Sequence, residues 1–292
     1  MKKSFIILSL SILISATTLA QEKEFVWDVF SSTSIIENQT VATPFKGMNE
    51  MNTQHRFSLI ENHKNLFGLY GAANTRIAIS RGITDRLMIG VGTAKFYKLQ
   101  DIHWKYALLR QTTDNSMPIS LSYFGNMVID ARPDNSFGPA ENYKFIHRLS
   151  YFTQFIVARK FSDKLSLQVA PSAIYFNSVP NYIPYDGAHY TVGYNNFNIG
   201  LNVGGRYKVG FSHAIMFEYD QLLTKQPLKE LGDDLKPKPN LTLGWEITTA
   251  THAFQLFVTN FSNLNNQYNF LYNNNDFTDG KYLFGFNIIY RF

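Results

Sequence analysis

The chain has 292 residues, no cysteine and a formal net charge of +5, with 17% charged and 15% aromatic residues. The lack of cysteine excludes disulfides, thiolate metal sites and a lipidated N-terminal cysteine. No apolar run reaches the ~18 residues of a helical membrane span, and the modest mean hydropathy of −0.16 is typical of strands that hide apolar residues by alternation.

Residues 1–20 predict a secretory signal peptide. Lys2 and Lys3 precede a short apolar run at 5–14, and we expect cleavage after Ala20. An uncleaved anchor is the alternative, but the apolar run is too short for one. Removing both lysines lowers the formal charge to about +3. Export and this small charge argue against nucleic acid as a partner.

Residues 21–52 alternate poorly and are acidic, with five carboxylates against two lysines, a net charge of −3. We expect a periplasmic N-terminal segment before the first strand. Two forms stay open, a mobile leader or a plug folded into the mouth of a barrel.

From residue 53 to 292 the chain becomes regular and predicts twelve strands with alternating faces. In the eighth strand, for example, Ile199, Leu201 and Val203 share one face, opposite Asn202 and Arg206. The predicted strands are 53–61, 74–82, 86–95, 102–111, 117–129, 144–161, 164–177, 194–208, 211–222, 239–248, 252–261 and 281–292.

The connections between these strands alternate between short and long. The short ones lie at 83–86, 112–116, 162–164, 209–210 and 249–251, and the long ones at 62–73, 96–101, 130–143, 178–193, 223–238 and 262–280. Tight turns at one end and long loops at the other are typical of an up-and-down transmembrane barrel. An even strand number then brings both termini to the short-turn, periplasmic side.

Backbone groups in hydrocarbon must all be paired, so a sheet that spans a membrane has to close. The apolar faces therefore point to lipid and the small, polar and charged faces point inward. A soluble barrel with an apolar cavity is the alternative, but it would need a charged exterior. Together these patterns predict an all-β fold: a closed, antiparallel, transmembrane up-and-down β-barrel of about 12 strands.

The last twelve residues alternate strictly and finish on Phe292. They resemble the closing strand of bacterial outer-membrane barrels, in which a terminal aromatic residue is read by the barrel-assembly machinery. An ordinary edge strand is the alternative. We expect the outer membrane as the location, with its lipid and the assembly machinery as partners; the oligomeric state stays open.

Five further stretches carry a resemblance that covers nearly all of the chain from about residue 40. They are TPFKG at 43–47, GITDRLMIGVG at 82–92, KYALLRQ at 105–111, IVARKFSDKLSLQ at 156–168 and HAFQLFVTN at 252–260. They are similar to an outer-membrane β-barrel family of unknown function found in Bacteroidota. The resemblance implies a porin-like exported barrel and assigns no functional residue.

Charged residues on the inward faces are the candidate site. By parity the lumen-lining charges are Arg56, Arg76, Lys105, Arg148, Arg206, Lys208, Glu218, Asp220, Glu246 and Arg291. Arg56, Arg206, Lys208, Glu246 and Arg291 are expected near the periplasmic mouth, with Arg56 close to Arg291 because the first and last strands must be neighbours. These charges could select solutes, or they could form ion pairs that stiffen the wall. The acidic segment could also dock onto this basic mouth.

No enzymatic signature is present. The seven histidines have no spacing that indicates a mechanism, and no cofactor or metal motif occurs. Aromatic residues expected at strand ends on the lipid face suit an interfacial girdle: Trp104, Tyr106, Trp245, Tyr282, Tyr290 and Phe292. Two functions stay open, a narrow diffusion channel for small hydrophilic solutes and a non-conducting structural or surface-binding barrel that acts through its long loops.

Overall fold

A computed structural model describes residues 24–61, 65–138, 140–182, 192–227 and 235–292. The signal peptide expected at residues 1–20 lies outside the described residues. Twelve long antiparallel strands form one closed barrel, in which each strand pairs with its neighbours in the chain. Because every edge is paired, the backbone can meet the requirement that hydrocarbon imposes. The predicted fold class is therefore confirmed.

Neighbouring barrel strands run in opposite directions around the wall. We number them in chain order together with four short strands. They are β3 (Asn49–Leu59), β4 (Asn74–Gly82), β5 (Leu87–Ala94), β6 (Leu99–Leu109), β7 (Ser120–Asp130), β8 (Leu149–Lys160), β9 (Leu165–Phe176), β12 (Phe197–Lys208), β13 (His213–Leu222), β14 (Asn240–Thr248), β15 (His252–Thr259) and β16 (Leu283–Arg291). The short strands form two hairpins, β1 (Ser34–Ile35) with β2 (Asn38–Gln39), and β10 (Asn181–Tyr182) with β11 (Val192–Gly193).

Two predicted strand boundaries were wrong by four or five residues. The first barrel strand begins at Asn49 rather than 53, because the polar stretch 49–52 pairs with β16. The strand predicted to begin at 144 begins at Leu149, since Phe145–Arg148 forms a 3₁₀ turn. Period two cannot separate these cases, because a tight turn can by chance place apolar and polar residues alternately.

Helical elements lie in the connections at the long-loop end. Among the described residues, an α-helix, α1, spans Asn266–Tyr272, and 3₁₀ turns span Phe96–Lys98, Asp134–Phe137, Ala140–Asn142, Phe145–Arg148 and Phe277–Asp279. Within the described ranges, no helix has the length and apolar character needed to cross a membrane.

The outer surface of the barrel carries a belt of exposed apolar side chains. Ile77 is 50% exposed, Leu243 64% and Leu256 57%, and each lies well inside its strand. Their chain neighbours on the opposite face, such as Arg76 and Thr242, are buried in the lumen. This arrangement of apolar outside and polar inside is the one that lipid requires.

The inward face is less polar than the sequence indicated. On β7, β8 and β9 the buried, inward positions include Phe124, Phe152, Ile156 and Ile174. Both faces of these strands carry large apolar residues, so the alternation in the sequence could not show that the inward face is apolar there. The inward side chains join one apolar core with residues of the N-terminal segment and of the last long loop.

Candidate functional site

The lumen is occupied by the chain's own N-terminal segment, residues 24–48. It passes beneath the β6–β7 turn, where the Val26 amide donates to Gln111 at 2.8 Å, and continues into the barrel as the β1–β2 hairpin. The hairpin turns at Ile36, whose φ of 55° is a left-handed conformation that β-branched residues avoid. Such a turn persists only when surrounding groups hold it in place.

Side chains of the barrel wall bind the main chain of this segment. The Glu218 carboxylate accepts from the amides of Glu37 at 3.2 Å and Asn38 at 3.0 Å. Asn287 donates to the carbonyl of Ile36 at 2.6 Å, and the Gln255 side chain accepts from the amide of Ile36 at 3.2 Å.

Other wall residues continue the pattern along the segment. Lys105 donates to the carbonyls of Thr33 at 2.7 Å and Ala42 at 2.9 Å, and Gln168 donates to that of Gln39 at 3.0 Å. Buried backbone groups without water need such partners. Much of the polar lumen wall thus serves to accommodate the hairpin.

A buried ion pair holds the tip of the hairpin. Glu37 lies 3.3 Å from Arg56 Nη2, and Gln54 Nε2 donates to the same carboxylate at 3.1 Å. Burial raises the pKa of Glu37 to about 7, against the opposing attraction of Arg56. The guanidinium of Arg56 also stacks over Phe257, 4.4 Å from the ring centroid.

The position expected for Arg56 was wrong. It pairs in register with Gly285 and Asn74, in the long-loop half of the barrel, whereas Arg291 pairs with Glu50 at the short-turn end. The error follows from the first strand, which begins four residues earlier than the alternation indicated and so carries Arg56 deeper.

Ion pairs cluster at the short-turn mouth. Arg206 pairs with Glu246, Arg291 lies 3.0 Å from Glu50, and Lys208 lies 3.0 Å from Asp28. Three further hydrogen bonds join these charged residues to the N-terminal segment: Ser31 donates to Glu246 at 2.5 Å, Thr33 donates to Glu50, and Arg291 donates to the carbonyl of Ser31. Asp28 also pairs with Lys160 at 2.7 Å. Attraction between opposite charges lowers the pKa of Asp28 although burial opposes it.

The remaining predicted charges lie deeper. Arg76 makes two bonds to Asp101, of 2.9 and 2.8 Å. Asp220 accepts from Asn38 of the hairpin at 2.8 Å and from Asn202 of the wall at 2.6 Å. Lumen charges are thus paired with one another or bonded to the inserted segment.

The structure places Arg148 outside the strands. It belongs to the 3₁₀ turn before β8, and its guanidinium bonds Asp134, Tyr143 and backbone carbonyls of the long-loop end. Its assignment to a strand facing the lumen was therefore wrong, because the strand begins one residue later.

A second insertion fills the lumen from the long-loop end. The connection between β15 and β16 folds inward and carries α1, six of whose seven residues are buried. Asn266 donates to Asn38 of the hairpin at 3.2 Å, and Asn265 donates to Asp101 of the wall at 3.3 Å. The two insertions therefore meet inside the barrel.

Sequence reasoning missed several residues of this interior. Glu37, Glu50 and Asp101 are the carboxylate partners of predicted arginines, and α1 lies in a stretch assigned to a surface loop. The asparagine-rich run 260–275 with Phe261, Leu264 and Leu271 was a usable signal, because large apolar residues in a long loop need a place to pack. In the described part of the chain, no group of three or more His, Asp or Glu side chains is placed to hold a metal ion.

The closed sheet, the apolar outer belt and the filled polar interior together define a membrane β-barrel. The chain belongs to the family described as membrane bound beta barrel domain (DUF5777), whose model matches residues 30–292. As such a barrel it contacts membrane lipid through its outer belt. No curated protein matches the chain.

Solved structures include barrels of similar architecture. The NanC porin is 7% identical, covering 83% of this chain and 97% of its own with a TM-score of 0.48. The KdgM porin is 10% identical, with 83% and 99% coverage and a TM-score of 0.48. An outer membrane channel from Pseudomonas putida F1 is 13% identical, with 86% and 97% coverage and a TM-score of 0.47. These similarities carry no information about a solute or partner.

Proposed function

We propose that this protein is a non-conducting barrel of a Bacteroidota outer membrane, closed at rest by its own N-terminal segment and last long loop. The observation that carries the proposal is the contact between the two insertions, Asn266 of α1 with Asn38 of the hairpin, inside the lumen. In the orientation that we propose, the short turns and the mouth where the segment enters the lumen face the periplasm, the long loops face outward, and β16 is read by the barrel-assembly machinery.

An open diffusion channel requires a continuous aqueous path, and the packed interior opposes one. Ile35, Ile36 and Leu271 are at most 2% exposed although they belong to the insertions rather than to the wall. Displacing the hairpin would expose these side chains and leave buried wall groups such as Glu218 without their partners, which costs free energy. The channel is therefore the second candidate function and needs an opening step.

The experiment is a conductance measurement on the purified full chain with the hairpin locked. Ser34 Oγ and Asn52 Nδ2 lie 3.0 Å apart, so Ser34→Cys with Asn52→Cys joins hairpin to wall through a short bifunctional thiol reagent. The chain has no cysteine of its own, so only this pair reacts. We expect neither the wild type nor the cross-linked variant to conduct ions in planar bilayers.

The matched controls are the untreated double variant and the single Asn52→Cys variant exposed to the same reagent. Steady conductance by the wild type that the cross-link removes would favour the gated channel. Steady conductance that persists after cross-linking would contradict closure by the hairpin.

A further inference from the structure

A pocket of about 580 Å³ opens at the long-loop end, above the two insertions. Its floor is a layer of aromatic rings, in which Tyr268 of α1 packs 5.1 Å from Tyr97 and 5.2 Å from Phe176. Tyr272 of the same helix packs 5.4 Å from Tyr194. The volume lies within the range of ~300–1,000 Å³ usual for small-molecule sites.

A carboxylate–guanidinium pair is among the polar groups that line the pocket. Asp130, at the end of β7, accepts two bonds of 3.0 Å from Arg132 Nε and one of 2.6 Å from its Nη2. The Arg132 side chain stays 36% exposed and its guanidinium lies over the Tyr97 ring at 4.6 Å. The pocket thus combines a flat aromatic surface with a fixed carboxylate–guanidinium pair.

These charges are balanced. Arg132 is paired with Asp130, and Arg148, which also lines the pocket, is paired with Asp134. A charged ligand would have to compete with a partner that is already bonded. An uncharged ligand with hydroxyl groups can bond the exposed Arg132 guanidinium without separating it from Asp130.

The backbone at Tyr97 shows strain. Tyr97 has a φ of 58° and the following Lys98 a φ of 52°, two successive left-handed residues without glycine or asparagine. This conformation of the β5–β6 turn brings the Tyr97 ring over the aromatic floor. Strain of this kind is concentrated at binding sites, where the position of a side chain matters more than local stability.

We propose that this pocket binds an uncharged sugar ring of an oligosaccharide from the outer side of the membrane. The C–H face of a pyranose packs on the electron-rich faces of aromatic rings, and its hydroxyls accept from the exposed guanidinium of Arg132, which Asp130 holds in place. A hydrocarbon ligand would cover the exposed Arg132 guanidinium without hydrogen-bonding it, which is unfavourable. The outward orientation rests on the proposed function, whereas binding itself does not.

The test is isothermal titration calorimetry on the detergent-solubilised full chain. The probes are four neutral oligosaccharides, maltotetraose, cellotetraose, mannotetraose and chitotetraose, and one acidic one, tetragalacturonate. We expect at least one neutral probe to bind and tetragalacturonate to bind more weakly. Arg132→Gln and Tyr97→Ala should each lower the affinity for the probe that binds about tenfold, as expected for loss of one well-placed contact.

The matched control is Tyr70→Ala, an 81% exposed tyrosine of another long loop that does not line the pocket. It should bind as the wild type does. Heat-dependent mobility in gel electrophoresis verifies that each variant barrel is folded. If Tyr97→Ala disturbs the β5–β6 turn, the affinity of Arg132→Gln decides whether the pocket is the binding site.

The proposal is overturned if no neutral probe binds, if tetragalacturonate binds most tightly, or if Arg132→Gln binds as the wild type. Binding without conductance supports both proposals. Conductance by the cross-linked barrel would contradict the proposed closure without affecting the proposed sugar site, so the two failures are distinguishable.

Discussion

Arg56 is fully buried, and its guanidinium is shared between a carboxylate, an amide and aromatic rings. Glu37 lies at 3.3 Å, Asn287 Oδ1 at 3.0 Å, and the centroids of Phe257 and Phe261 at 4.4 and 5.6 Å. A charge in such surroundings is tolerated because these groups replace water. The residue also joins the two insertions to the wall, since Glu37 belongs to the hairpin and Phe261 to the last loop.

Replacing Arg56 by alanine should lower the free energy of unfolding by about 3 kcal/mol, because Glu37 is left buried without its cation. Urea unfolding in lipid vesicles, followed by tryptophan fluorescence, measures the change. The double variant Arg56→Met with Glu37→Gln removes both charges and should recover most of the loss. A double variant as unstable as Arg56→Ala would show that the ion pair is not the cause.

At the scale of elements, the hairpin and the wall are complementary through the main chain. Glu218, Gln255, Asn287 and Lys105 bond backbone groups of the segment, so part of its path is held through the main chain. The tip is the exception, because Glu37 carries a buried charge near Arg56. Docking of the hairpin should therefore respond to the ionisation of Glu37, together with that of the wall carboxyls Glu218 and Asp220 that bond the hairpin.

Docking of the hairpin should weaken as pH rises from about 4.5 to about 7. Burial raises the pKa of Glu37 to about 7, above its ordinary value of 4.5, so the docked form keeps a proton that the undocked form releases. The protonated carboxyl favours docking below this window, and above it both forms are ionised. The slope reaches at most ~1.4 kcal/mol per pH unit.

This dependence is measured by the rate of thiol modification at Ser34→Cys, normalised to the rate at the exposed Lys46→Cys position of the same segment. The normalised rate should rise between pH 4.5 and pH 7, and Glu37→Gln should reduce the rise, leaving only the part due to Glu218 and Asp220. An identical pH profile with Glu37→Gln would assign the effect to another group.

At the scale of the whole molecule, the barrel has two apolar regions that different forces maintain. The outer belt is apolar because lipid surrounds it, whereas the inner cluster of Phe124, Phe152 and Ile156 is apolar because the insertions pack on it. Polar groups of the remaining wall pair with the hairpin inside the lumen. The filled lumen makes the whole structure resemble a globular core inside a membrane wall.

Leu243→Arg should lower the free energy of unfolding by about 2–4 kcal/mol, because this outward residue lies near the middle of β14 and would carry a charge into hydrocarbon. Leu223→Arg is the matched control, since Leu223 follows the end of β13 and is 54% exposed; its effect should stay below about 1 kcal/mol. Urea unfolding in vesicles measures both. Equal effects would place the lipid boundary elsewhere on the barrel.

Most of the barrel wall could be predicted from sequence. Strand β4 alternates without exception and β12 does so except at Gly205, because one face meets lipid and the other meets polar groups, so period two survives along most of their length. Prediction was poorer on β7 and β8, where inward residues are apolar as well, and at the beginning of β3, where polar residues remain in the sheet.

The sequence by itself determined the closed antiparallel barrel, the number of its strands and the alternation of short turns with long loops. All of these follow from local periodicity, which one chain displays without reference to distant contacts. Only the tertiary structure decided what fills the lumen. The contacts of Glu37 with Arg56, of Glu218 with the hairpin backbone, and of Asn266 with Asn38 join residues far apart in the chain, so no local pattern carries them.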